Sequence, residues 1–196
     1  MKKNLITAIL MTIATTILLG IIYPLVVTGI AQVLFPKQAN GELIEANGKV
    51  IGSRLIAQAF TGTSYFHPRP SAVAYDPTNS NGSQLGPTNQ KLIDRVKGDV
   101  AADHAENPSM PVPIDLVTAS ASGLDPDITP AAAEFQLARV AKERGTTVEQ
   151  LRSLVARHTD GRQLRVLGEA RVNVLELNLE LGQRFPVNKQ ARVEGH

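Results

Sequence analysis

The distribution of apolar side chains along the chain is uneven from its start. Residues 5 to 35, LITAILMTIATTILLGIIYPLVVTGIAQVLF, carry no charge, and Lys2 and Lys3 stand directly before them. About 20 apolar residues cross the hydrocarbon core of a bilayer as a helix, so this run predicts a transmembrane span even if Pro24 kinks it. A cleaved signal peptide is the competing reading. The basic start and the small residues of Gly29-Ile30-Ala31 suit it, but a signal segment has an apolar stretch of roughly half this length. Tyr23 and Phe35 stand where interfacial aromatics would anchor a retained span, and a retained anchor is the favoured reading. The lysine pair places the N-terminus in the cytoplasm and the long C-terminal part outside.

Beyond residue 35 the pattern shortens. Two brief apolar runs flank Asn47-Gly48, a type I′ turn signal, and predict a hairpin with strands near 42–46 and 49–52. Residues 60 to 87 show neither helical nor strand periodicity. They hold four of the eight aromatics, Phe60, Tyr65, Phe66 and Tyr75, which argues for an ordered loop that packs on something. Leu92, Ile93, Val96 and Val100 fall on one face of a helix over 88–105. Residues 114–118 read as a short strand. Thr129 then caps a helix beginning at Pro130, with Ala133, Leu137, Val140 and Ala141 inward and Gly145 past its end. Thr147 and Gln150 make a capping box for a helix that buries Val148, Leu151, Leu154 and Val155 and closes by Gly161. In RVNVLELNLEL the leucines alternate like a strand, but Asn173 and Glu176 form a cap signature, and helix, stopped by Gly182, is preferred. The expected architecture is a single N-terminal transmembrane helix followed by a small α+β, helix-rich soluble domain. Residues 1–35 form the first part and 36–196 the extracytoplasmic domain.

Charge and composition narrow the chemistry. Two of the 20 Lys+Arg precede the span, which leaves 18 against 18 Asp+Glu in the rest. A formally neutral domain gives no electrostatic case for nucleic acid. With no cysteine, thiol nucleophiles, disulfides and Cys-based zinc sites are excluded. The four histidines, His67, His104, His158 and His196, show no metal-ligand spacing, and no P-loop, GxGxxG or GxSxG segment is present. No catalytic residue and no metal ligand is assigned. The turn containing Ser120, Ser122, Gly123, Asp125 and Asp127 could hold an ion, but local satisfaction of backbone groups by its side chains is the favoured reading.

The segments FTGTSYFHPRPSA, GSQLGPTN, VTASASGLDPDITPAAAEFQLARVA and RVNVLELNLEL, behind one span, closely resemble the C-subunit family of the Kdp potassium-transporting ATPases. The resemblance extends over nearly the whole chain. It implies a non-catalytic accessory subunit of a bacterial inner-membrane complex that imports K⁺ with ATP. The expected partners are KdpA, which selects potassium, KdpB, which hydrolyses ATP, the small KdpF, and the lipid bilayer. It also implies a role as catalytic chaperone, raising the ATP affinity of KdpB through a glutamine in an LSxxQ-like stretch. That glutamine matches Gln150, with Thr146 and Thr147 where leucine and serine would stand. Gln150 is therefore the candidate ATP contact, and ATP through KdpB the only cofactor in view. The alternative reading is a direct nucleotide-binding regulator in a ternary complex with KdpB and ATP.

Topology bears on that choice. An outside domain would lie away from ATP, and the capping box already accounts for Gln150. Such a domain could sit over the potassium entrance of KdpA, with Tyr65, Phe66 and Arg69 as contact candidates. Gly20 and Gly29 would permit close packing of the span against other subunits.

Overall fold

The computed structural model describes residues 1–46 and 48–187. The chain divides into two compact units, one ending at Ile51 and the other beginning at Gly52. In the first unit, α1 (Lys2–Ile17), a wide turn of π-helix (Leu18–Ile22) and α2 (Tyr23–Leu34) form one helix of 33 residues with no buried side chain. The wide turn has a local cause. Pro24 has no N–H, and its ring crowds the carbonyl four residues back, that of Gly20. The ladder widens just before it, and the Tyr23 N–H bonds Leu18 oxygen, five residues back. At Phe35 the backbone leaves the helical region (φ −135°), and a single turn, α3 (Pro36–Ala39), follows. The strands β1 (Leu43–Ala46) and β2 (Lys49–Ser53) pair as expected, with Gly48 at φ +73° between them. Asn47 lies outside the described residues.

The second unit is built on helices. After the irregular stretch 54–89 come α4 (Gln90–Glu106), α5 (Ile114–Val117), β3 (Asp127–Ile128), α6 (Pro130–Arg144), α7 (Val148–Arg157), β4 (Thr159–Asp160), β5 (Arg171–Asn173) and α8 (Val174–Arg184). The three short strands form an antiparallel sheet in the order β3-β5-β4, with Ile128 opposite Val172 and Thr159 opposite the same valine. One core joins α6, α7, α8 and β5. Leu137, Val140, Leu151, Leu154, Val172 and Leu177 are each at most 1% exposed there.

The caps at three helix starts behave as the sequence predicts. Thr129 accepts from Ala132 N–H at 3.1 Å, Thr147 and Gln150 make both bonds of the capping box, and Asn173 accepts from Glu176 N–H at 3.1 Å. Gly145 ends α6 at φ +63°. Helix α4 starts two residues later than predicted, at the Asn89 cap, and Val100 on its expected inner face is exposed.

Three expectations are corrected. The segment 114–118 is a helical turn, not a strand. Pro113 leads into it, and the Thr118 hydroxyl donates back to Ile114 oxygen at 2.7 Å. The turn directs Asp115 inward, where its carboxylate accepts the Thr129 N–H at 2.7 Å and the Thr129 hydroxyl at 3.1 Å. Helix α7 closes at His158, before Gly161, because Thr159 and Asp160 leave to pair with β5. The leucine-rich tail forms the preferred helix behind the Asn173 cap, and a three-residue strand precedes it, so that Asn173 is both a sheet residue and a cap. Gly182 does not stop α8. The helix continues to Arg184, and the carbonyl beyond it, of Phe185, accepts from Arg144 at 2.8 Å.

Asp115 is 6% exposed and caps the residue that caps α6. Asp115→Ala strands the Thr129 N–H, a loss of about 2 kcal/mol. Thermal unfolding followed by circular dichroism is expected to show a midpoint lower by roughly 4–8 °C.

Candidate functional site

The aromatic loop is held by amide side chains from two helices. Asn178 on α8 accepts the Phe66 N–H and donates to the Phe66 carbonyl, each at 2.9 Å. Gln136 on α6 does the same for His67, accepting its N–H at 2.7 Å and donating to its carbonyl at 3.2 Å. Each amide reproduces the two bonds of a strand neighbour. Both are 2% exposed, and the remaining capacity of Gln136 is filled by the Ala132 carbonyl and the Arg139 guanidinium. Further along α6, Arg139 donates to the carbonyls of Thr63 (2.5 Å) and Tyr65 (2.8 Å), and Arg144 to that of Ser64 (2.7 Å). Residues 63 to 67 are thereby fixed without any regular secondary structure of their own. The sequence reading missed these four anchors. The available signal was a polar amide within an otherwise apolar stripe, Gln136 beside Leu137 and Asn178 beside Leu177.

The predicted contact residues lie in unequal positions. Phe66 is fully buried in the core, so its ring cannot face a partner, and the expectation for it is corrected. A ring of that size gains about 2–3 kcal/mol by leaving water, which outweighs any benefit of presenting it outside. Tyr65 is half-buried, tilted against Phe60 at 5.7 Å, with the Arg144 guanidinium 4.7 Å over its ring. Arg69 is half-buried and ion-pairs with Asp125 at 2.8 Å. Gly20 and Gly29 lie on the exposed anchor helix, and a methyl group at Gly29 would meet nothing within 4 Å.

The 120–127 turn is locally satisfied. Ser122 accepts the Leu124 N–H, and Asp125 accepts the Asp127 N–H while pairing with Arg69. Asp127 pairs with Arg171, and burial raises its carboxyl above the usual carboxylate range, with nearby Asp125 adding to the rise. Gly123 cannot be replaced there. Its φ is +68°, and a Cβ would lie 2.6 Å from Val73 Cγ2 and 2.8 Å from Asn81 oxygen. Its carbonyl accepts the Ser71 hydroxyl, which in turn accepts the N–H groups of Val73 and Tyr75.

Gln150 is an exposed cap. Its Oε1 accepts the Thr146 hydroxyl at 2.6 Å and the Thr147 N–H at 3.3 Å. His158, at the end of α7, meets Glu180 at 2.5 Å. Glu180 also pairs with Arg157 and Arg184, and these cations with the His158 hydrogen bond outweigh partial desolvation and hold its carboxyl low. Among the described residues, no group of three or more His, Asp or Glu is placed to hold a metal ion.

A cleft of about 380 Å³ opens beside the loop, with Phe60, His67, Tyr75, Asp103, Glu106 and Arg139 among its walls. The His67 ring Nε2 lies 3.0 Å from Gly62 oxygen, and a carbonyl only accepts, so Nε2 carries the hydrogen. Burial, and then the charge of Arg139, lower the His67 pKa below its ordinary value of 6.5. Burial, reinforced by Glu106 and Asp99, raises Asp103 above 3.8. A depressed imidazole contributes stability that is present above its unfolded value, about 6.5, and lost as pH falls below it. Asp103 acts in the opposite sense and at lower pH. The thermal midpoint is therefore expected to drop between pH 7 and about 5. His67→Gln should shrink that drop, and an unchanged drop would assign it to another group.

The family model described as K⁺-transporting ATPase, c chain, matches residues 5–183. A protein of Koribacter versatilis named potassium-transporting ATPase KdpC subunit is 63% identical over 189 residues, covering 95% of this chain and 98% of its own. Relatives of the same name in Rhodospirillum rubrum and Acidobacterium capsulatum are 56% and 54% identical, covering 95% and 92% of this chain. Over nearly its whole length, span and domain together, the chain belongs to the KdpC family of potassium-transporting ATPase subunits.

Proposed function

We propose that the chain is a non-catalytic accessory subunit of an ATP-driven potassium-import complex, anchored by its N-terminal helix with its domain on the extracytoplasmic face of a bacterial inner membrane. It stabilises the assembly of KdpA, KdpB and KdpF, and ATP hydrolysis belongs to KdpB. The domain sits over the potassium entrance of KdpA, with Tyr65 and Arg69 on the contact surface and Gly20 and Gly29 as points where the span closely approaches other subunits.

The observation that carries this reading over direct nucleotide binding is the state of Gln150. The residue that the resemblance matches to an ATP contact has its acceptor occupied by two donors of its own helix start. A nucleotide would have to compete with a cap that contributes on the order of 1 kcal/mol to helix stability. The neutral charge balance of the domain adds no attraction for a polyphosphate. The rigid loop supports an interface role, because residues 63–67 are already fixed and little entropy remains to be lost on docking.

Protease added outside spheroplasts is expected to digest the domain. Protection until the membrane is opened would overturn the extracytoplasmic placement and favour the nucleotide-binding regulator. In the assembled transporter, Tyr65→Ala should weaken co-purification with KdpA. Gln150→Ala should cost about 1 kcal/mol of domain stability and leave the KM for ATP unchanged. A several-fold rise in that KM would restore Gln150 as an ATP contact.

A further inference from the structure

Between β4 and β5 the chain makes a narrow hairpin tip. Gln163 and Leu167 pair across it, the Gln163 N–H to Leu167 oxygen and the Leu167 N–H to Gln163 oxygen, each at 2.9 Å. Leu164 (φ +51°) and Arg165 (φ +66°) are both left-handed, and the Val166 N–H closes the turn on Gln163 oxygen at 3.1 Å. Asn and Gly are the residues that suit such positions. Here the turn presents aliphatic groups instead, with Leu164 86%, Val166 72% and Leu167 57% exposed. The tip carries no carboxylate from Gly161 to Gly168.

Its two arginines stand apart from the rest. Every other arginine among the described residues reaches a carboxylate or a backbone carbonyl of its own fold. Arg162 and Arg165 are exposed, and neither side chain forms a hydrogen bond or ion pair among the described residues. Free cations beside an exposed apolar tip match a surface that is anionic outside and apolar beneath. The domain is covalently tied to a membrane helix through residues 35–51, which reach at most roughly 60 Å even fully extended. A tethered domain needs only weak intrinsic affinity to remain on that surface.

We propose that the tip 162–167 docks on the bilayer, its three aliphatic side chains entering the headgroup–acyl boundary and Arg162 and Arg165 pairing with anionic lipid phosphates. A second protein is the poorer occupant. One turn with three aliphatic chains and no aromatic falls far short of the roughly 800 Å² each partner contributes to a stable interface. The inference holds for either side of the membrane, so it stands or falls separately from the topology proposed above.

The chain has no cysteine, so a single probe can be placed at will. The full chain bearing Leu164→Cys, labelled with an environment-sensitive fluorophore, is reconstituted into vesicles of phosphatidylcholine with about 30% phosphatidylglycerol. Nitroxide-bearing lipid is expected to quench it about three-fold more than the same label at Lys97→Cys, on exposed α4. Replacing both Arg162 and Arg165 by Gln, or omitting phosphatidylglycerol, should reduce the quenching at least about two-fold. The label at Val166→Cys should behave likewise, which guards against an effect of replacing Leu164. Quenching equal to the Lys97 control would overturn the proposal. So would shielding of the tip from aqueous iodide that occurs only in the assembled transporter, an outcome that assigns it to a protein partner.

Discussion

Two carboxamide groups govern the conformation of the soluble unit. Asn178 and Gln136 each bracket one residue of an irregular loop, and the residues they bracket are consecutive, Phe66 and His67. A buried backbone N–H or carbonyl without a partner is costly, and a loop cannot supply partners from a ladder of its own. The two amides supply all four bonds. They therefore allow Phe66 to enter the core shared by α6, α7, α8 and the short sheet. The ordering of the loop and the packing of the helices depend on each other.

Arginine plays a comparable part at the loop's outer side. Arg139 and Arg144 lie five residues apart on α6, and with planar forks of donors the first reaches the carbonyls of Thr63 and Tyr65 and the second that of Ser64. Arg144 also reaches past the end of α8 to the Phe185 carbonyl. It links the loop to the end of α8 while covering the face of Tyr65. Lysine, with a single charged point, could not make those contacts together. The outcome is a surface whose shape is set by backbone groups fixed from behind.

Much of this was legible in the residues where physics is local. Caps at Thr129, Thr147 and Asn173 depend on side chains three residues from their targets, and each formed as read. The hairpin at 43–53 follows from Gly48 between two apolar runs. Failures occurred where a distant group decided the outcome. Residues 114–117 form a helical turn that carries Asp115 to Thr129, a bond between positions fourteen apart. In the 171–184 segment the helix reading held, because the Asn173 cap begins α8 before the leucines, and the pairing of β5 with two other strands ends there. The burial of Phe66 was equally invisible, since it depends on amides that hold Phe66 and His67 from 112 and 69 residues away in the chain.

The wide turn at Leu18–Ile22 has a consequence for how the anchor presents its side chains. In an uninterrupted α-helix each residue advances about 100°, and nine residues separate Gly20 from Gly29, so the two would face opposite sides. A stretch of π-helix advances less per residue. It takes back part of that rotation and swings the lower half of the span toward the azimuth of the upper. The anchor is thus two cylinders with a phase offset between them, and the offset is set by one imino acid, Pro24. Which stripe of residues 25–34 lies beneath which stripe of 2–17 is a property of that proline, not of either half alone.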